Sequence, residues 1–217
     1  MLEITQMIED GCTLDEIRQR FKTQYLMFEN RIKGYYQAVL SSKYMREFRT
    51  VKTTYIYGAA RLGKTSLIYD LFPIENICRV NNYAKGTFEN YQSQPILMLD
   101  EFTGAIDITF MNNILDKFPV DLPARFANRT ACFNEVFVIS NLSLNQLYKL
   151  EQSNAPEVFD AFKQRFKNII RFTAFREWHY ELKDGEPIPP PKQLQPKQLA
   201  VSFANLKPIE DDTDFPF

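Results

Sequence analysis

The stretch Tyr57–Ile68, YGAARLGKTSLI, limits the fold more than any other part of this 217-residue chain. An apolar run, TTYIY, comes before it and helix-forming residues follow. Between them stands G-x-x-x-x-G-K-T, from Gly58 to Thr65. A strand, a glycine-bearing loop and a helix in that order aim backbone N–H groups and a helix N-terminus into one concavity, which suits a phosphate chain. The residues expected to cradle it are Gly58, Ala59, Ala60, Arg61, Leu62, Gly63, Lys64, Thr65 and Ser66. Lys64 offers a point charge for the β and γ phosphates, and the Thr65 hydroxyl offers a ligand to Mg²⁺. The ligands expected are thus ATP and Mg²⁺.

The chain around this loop reads as alternating strands and helices. Strands are expected at 53–57, 77–80, 95–99, 136–140 and 169–174, with helices at 64–71, 106–118 and 155–166. PILML and VFVIS are continuous apolar runs, the pattern of strands buried on both faces. The alternation predicts an α/β three-layer domain with a mainly parallel five-stranded sheet. The run ILMLDE closes a buried strand on two carboxylates about 35 residues beyond the loop, as in the second half of a P-loop ATPase. Asp100 is expected to hold Mg²⁺ through water, and Glu101 to orient or deprotonate an attacking water. Asn141, after VFVIS, either touches the γ-phosphate or water, or simply closes a strand turn.

Residues 1 to about 50 are expected to be helical. Leu2, Ile4, Met7 and Ile8 have helical spacing up to Gly11, and Thr13–Glu16 (TLDE) forms a capping box. A small helical bundle is expected here; a DNA-binding helix-turn-helix is the competing reading. Nine Lys/Arg against two Glu lie between Ile17 and Lys52, while Glu210, Asp211, Asp212 and Asp214 crowd the other end, so the two ends suit different partners. Seven of twelve prolines fall between Pro187 and Pro216, the composition of an extended linker. Apolar runs are too short for a membrane span and no signal peptide is visible, so a cytoplasmic protein with no membrane partner is expected. One histidine, His179, excludes any two-histidine site, and three scattered cysteines suggest neither disulfides nor zinc.

In their order, GAARLGKT, FENY (Phe88–Tyr91), ILMLDEF, KFPVDLPARFANRT and VFVISN resemble the superfamily 3 helicase domain, an AAA+ ATPase, of replication initiator (Rep) proteins of circular single-stranded DNA viruses and related bacterial plasmids. The resemblance runs from about Thr53 to Phe175. It implies a P-loop AAA+ domain at 51–180, after a helical oligomerisation segment at 1–50 and before a Pro-rich linker and acidic tail at 181–217. It further implies a homo-oligomer, commonly a hexameric ring, moving 3′ to 5′ on single-stranded DNA in rolling-circle replication. By position, Arg125 falls where the family carries a basic pore-hairpin residue (commonly Lys), with Phe126 and Arg129 beside it as DNA contacts. Arg165 matches the arginine that completes a neighbour's ATP site, with Lys163, Lys167 and Arg171 as competitors. Rep proteins usually add an endonuclease bearing two metal-binding histidines. The expectation is therefore either a fragment or a helicase-only relative.

The final residues, Glu210 to Phe217 (EDDTDFPF), resemble the terminal peptide of bacterial single-stranded-DNA-binding proteins, which implies docking of host replication proteins; a solubilising acidic tail is the plainer reading. Two other function classes remain beside the helicase. One is a non-unwinding AAA+ ATPase, such as a helicase loader or DNA packaging motor. The other is an adaptor whose ATP only stabilises an oligomer.

Overall fold

Five of the apolar runs become strands that pair in parallel because the connection from each of these strands to the next is long enough to cross over and return in the same direction. A computed structural model describes residues 1–84, 86–125 and 128–184. Its elements are α1 (Leu2–Glu9), α2 (Leu14–Arg20), α3 (Lys22–Tyr44), β1 (Lys52–Tyr57), α4 (Lys64–Leu71), β2 (Ile77–Val80), β3 (Ile96–Leu99) and α5 (Ile108–Ile114). They continue with β4 (Asp121–Leu122), β5 (Arg129–Thr130), β6 (Glu135–Ser140), α6 (Lys149–Asn154), α7 (Pro156–Gln164), β7 (Asn168–Ala174) and β8 (Glu177–Lys183). The main sheet runs β2-β3-β6-β1-β7-β8, with β4 and β5 forming a separate antiparallel pair.

The sheet has six strands where five were expected. The sixth, β8, returns antiparallel on β7 through the two-residue turn Phe175–Arg176. Its alternation, Trp178 and Tyr180 against charged neighbours, places those two rings on the core beside Ile170 and Phe172. Residues of one strand alternate between two cores. Tyr55, Leu97, Leu99, Val136 and Val138 meet α5 and α7 through Met111, Ile114, Phe159 and Phe162. Ile56, Met98, Phe137 and Ile139 meet α4 through Leu67 and Ile68. Helices thus cover both faces of a mainly parallel mixed sheet, an arrangement compatible with a three-layer α/β fold.

The first three helices enclose a small core of their own: Ile4, Ile8, Ile17, Tyr25 and Ile32. The capping box is formed, with the Glu16 N–H donating to the Thr13 hydroxyl (3.3 Å) and the Thr13 N–H donating to the Glu16 carboxylate (2.7 Å). The long helix α3 carries a break at Phe28, where φ is −128°. Among the described residues no helix is long and apolar enough to cross a membrane.

Candidate functional site

Strand register gathers the site. Tyr57, the last residue of β1, lies opposite Ser140 of β6, and Leu99 of β3 lies opposite Val138. The loop after β1, the Asp100–Glu101 pair after β3 and Asn141 after β6 therefore emerge at one carboxyl edge of the sheet, where α/β folds offer a crevice. They line an open cleft of about 210 Å³ together with Ala60, Arg61, Gly63, Lys64, Thr65 and Ser66. Of the nine loop residues predicted, Gly58, Ala59 and Leu62 do not line it. Gly58 and Ala59 contribute carbonyls to Lys64, and Leu62 packs on the core beside α4.

The loop has its shape because two glycines permit it. Gly58 leaves β1 at φ 144°, and Gly63 enters α4 at φ 92°. Lys64 is buried, and its ammonium donates to the Gly58 carbonyl (2.8 Å), the Ala59 carbonyl (2.7 Å) and Asn141 Oδ1 (2.9 Å). Burial lowers the Lys64 pKa, against the opposing pull of Asp100 and Glu101. Asn141 is thus joined to the loop by its side chain rather than serving only to close a turn.

Asp100 is almost wholly buried, at 1% exposure, and is surrounded by donors. The Thr65 hydroxyl donates to Oδ1 (3.0 Å), the Glu101 N–H donates to the same oxygen (3.0 Å), and Arg79 donates through Nε (2.9 Å) and Nη2 (2.7 Å) to Oδ2. The Tyr83 hydroxyl holds the Asp100 carbonyl at 2.6 Å. Glu101 takes φ 55°, unusual for a residue with a β-carbon, and this bend presents it to the cleft. Among the described residues no cluster of three or more His, Cys, Asp or Glu side chains is placed to hold a metal. A hydroxyl and one carboxylate nevertheless fit Mg²⁺, which keeps several waters and takes its remaining ligands from phosphate.

The other predicted residues lie apart from this cluster. Arg125 sits in the loop joining β4 and β5, well exposed, with its Nε 3.8 Å from a Glu89 oxygen. Arg129 lies exposed on β5, paired across the hairpin with Leu122. Phe126 lies outside the described residues. Arg165 ends α7 and is held in its own chain: Nε donates to the Asn112 carbonyl (2.7 Å) and Nη2 to Asp116 (2.7 Å). Its competitors are also paired, Lys163 with Asp160, Lys167 with Asp184 and Arg171 with Glu181. The acidic tail and Pro-rich segment lie outside the described residues.

Arg79 and Tyr83 were missed in the sequence. The signal for Arg79 was there, a single charge inside the apolar run ICRV, next to a strand ending in two carboxylates. Comparison with family models finds no match, and comparison with curated proteins finds none either.

Proposed function

We propose that this protein binds and hydrolyses ATP with Mg²⁺ as a P-loop AAA+ ATPase of superfamily 3 type, and that as a homo-oligomeric ring it drives a DNA helicase acting 3′ to 5′ on single-stranded DNA in rolling-circle replication. The observation that carries the reading is the convergence of Lys64, Thr65, Asp100, Glu101 and Asn141 on one cleft from three neighbouring strands. Lys64 binds the β and γ phosphates, giving up carbonyls of its own loop for them. Asn141 keeps the ammonium aligned. Thr65 and Asp100 would hold the magnesium, which would neutralise phosphate charge as the terminal bond breaks. Glu101 accepts the proton of the attacking water at its carboxylate.

The helical segment suits self-association, since it exposes Leu2, Leu26 and Met27 beside its small core. The β4–β5 hairpin, carrying Arg125 and Arg129, suits a grip on a DNA backbone that ignores sequence. The resemblance points to Arg165 as the arginine offered to a neighbour, but its bonds within its own chain favour a structural role. A second reading, a ring ATPase that does not unwind (a loader or packaging motor), is favoured by the Arg125–Glu89 pairing, which engages the hairpin arginine within its own chain.

Hydrolysis and strand displacement on forked DNA, measured on the full chain, test the proposal. Lys64→Ala and Glu101→Gln are expected to abolish hydrolysis, while Arg125→Ala keeps basal hydrolysis and loses DNA stimulation and unwinding. Hydrolysis without strand displacement by the wild type selects the second reading. No hydrolysis by a well-assembled wild type removes both.

A further inference from the structure

The phosphate cleft leaves open where the rest of a nucleotide would lie. On the reading that Lys64 and Thr65 hold a triphosphate, the end bearing the terminal phosphate faces Glu101 and Asn141, on the β3–β6 side of the loop. The nucleoside must then leave on the opposite flank, where β7 is the next strand. Helix periodicity points the same way. Thr65 faces Asp100, whereas Ser66 and Asp70 are four residues apart and share another face of α4. Asp70 pairs with Arg176 at 3.1 Å, so that face looks onto the turn between β7 and β8.

The turn is fastened to the loop. The Arg176 N–H donates to the Leu62 carbonyl (2.9 Å), and a β-carbon built on Gly63 would lie 3.4 Å from Arg176 Cγ and 3.8 Å from Phe175 Cε2. Arg176 takes φ 59° to do this. Phe175 is thereby fixed beside the loop but stays 66% exposed, with the Arg176 guanidinium carbon 5.8 Å from its ring centroid. An aromatic ring held against solvent, with a cation over one face, the other face free for a base and a phosphate cradle beside it, has the chemistry of a base-stacking surface.

We propose that the Phe175–Arg176 turn is the nucleobase platform of this site, with the base stacked on the Phe175 ring. Stacking uses a π-face that every base has, so the platform adds affinity for ATP and GTP alike.

The test is calorimetric titration of the full chain with ATP, GTP and inorganic tripolyphosphate in the presence of Mg²⁺. Phe175→Ala is expected to weaken ATP and GTP binding roughly ten-fold while leaving tripolyphosphate binding unchanged. Phe175→Tyr is expected to restore nucleotide binding, and Lys64→Ala to weaken all three ligands. Unchanged ATP affinity in Phe175→Ala overturns the platform and leaves the phosphate site standing. An equal loss for tripolyphosphate also overturns it, because Phe175 would then only shape the loop over Gly63. Failure of the wild type to bind either ATP or tripolyphosphate removes the phosphate reading itself, and the platform with it.

Discussion

A β-carbon placed on Gly58 would come within 2.5 Å of the Phe172 carbonyl oxygen, a backbone atom of the neighbouring strand that cannot step aside. Glycine at this position is required both by that approach and by the φ of 144°. Gly58→Ala is expected to lower stability by about 1–3 kcal/mol, read as a fall of several degrees in the melting temperature, and to weaken triphosphate binding as the loop shifts. A variant that melts like the wild type would show that β7 yields at Phe172. A second expectation concerns Arg79. Its guanidinium and a magnesium ion would compete for one carboxylate, since Asp100 Oδ2 already accepts two bonds from Arg79. Removing the cation with Arg79→Met is expected to lower the Mg²⁺ concentration that half-saturates nucleotide binding. An unchanged or higher requirement would mean that Arg79 orients Asp100 for the metal rather than competing with it.

The C-terminus of α5 is gripped by two arginines from different parts of the chain. Arg49, buried and lying 4.7 Å over the Phe133 ring, donates through Nη2 to the Asp116 carbonyl (2.8 Å) and the Phe118 carbonyl (3.2 Å). Arg165 binds the Asn112 carbonyl and the Asp116 carboxylate, which locks α7 onto α5. Cations at a helix C-terminus satisfy its last carbonyls and suit its dipole. Arg165→Ala is therefore expected to cost roughly 1–3 kcal/mol of stability, seen in denaturant unfolding, because these acceptors lose their donor. A variant with unchanged stability but lost hydrolysis in an assembled oligomer would instead identify the arginine given to a neighbour. The Thr13–Glu16 capping box permits a test by pH. Bonds from Thr13, its backbone N–H first, lower the Glu16 pKa from the ordinary 4.5. A depressed carboxylate contributes stability that is present above its unfolded value and lost as pH falls through the folded one. Helical signal from the first three helices is thus expected to weaken below about pH 4.5, and Glu16→Gln, which removes the titrating carboxylate, to remove that acid dependence. The box was legible in TLDE because all of its bonds are local. The break of α3 at Phe28 and the strand β8 were not: Phe28 packs on the core of α1–α3, and the Trp178 and Tyr180 of β8 pack on a core built from several strands and α4.

At the scale of the molecule, the chain divides its apolar residues between the sheet domain, with a core on each face, and a separate, much smaller core among α1–α3. Alternation of strand and helix patterns made the sheet domain legible, along with the strands that carry the loop, Asp100 and Asn141. What stayed hidden was pairing between side chains: Arg79 with Asp100, Arg165 with Asp116, and Arg176 with Asp70 join segments whose approach only the strand order decides. The small core raises a question of partners. A bundle of this size buries little surface per residue and gains from further burial. Yet Leu26 and Met27 stand 80% and 68% exposed at the start of α3, and Leu2 is 87% exposed on α1. If these side chains are the contacts that assemble the proposed ring, Leu26→Asp combined with Met27→Asp should reduce the mass measured by light scattering to that of a smaller species. Both positions face solvent within one chain, so its own fold and melting are expected to survive. Hydrolysis should fall with assembly if the ATP site needs a neighbour's arginine, and the loss should be relieved as protein concentration rises, as mass action requires. Unchanged mass in the double variant would move the ring contacts off the bundle and onto the sheet domain.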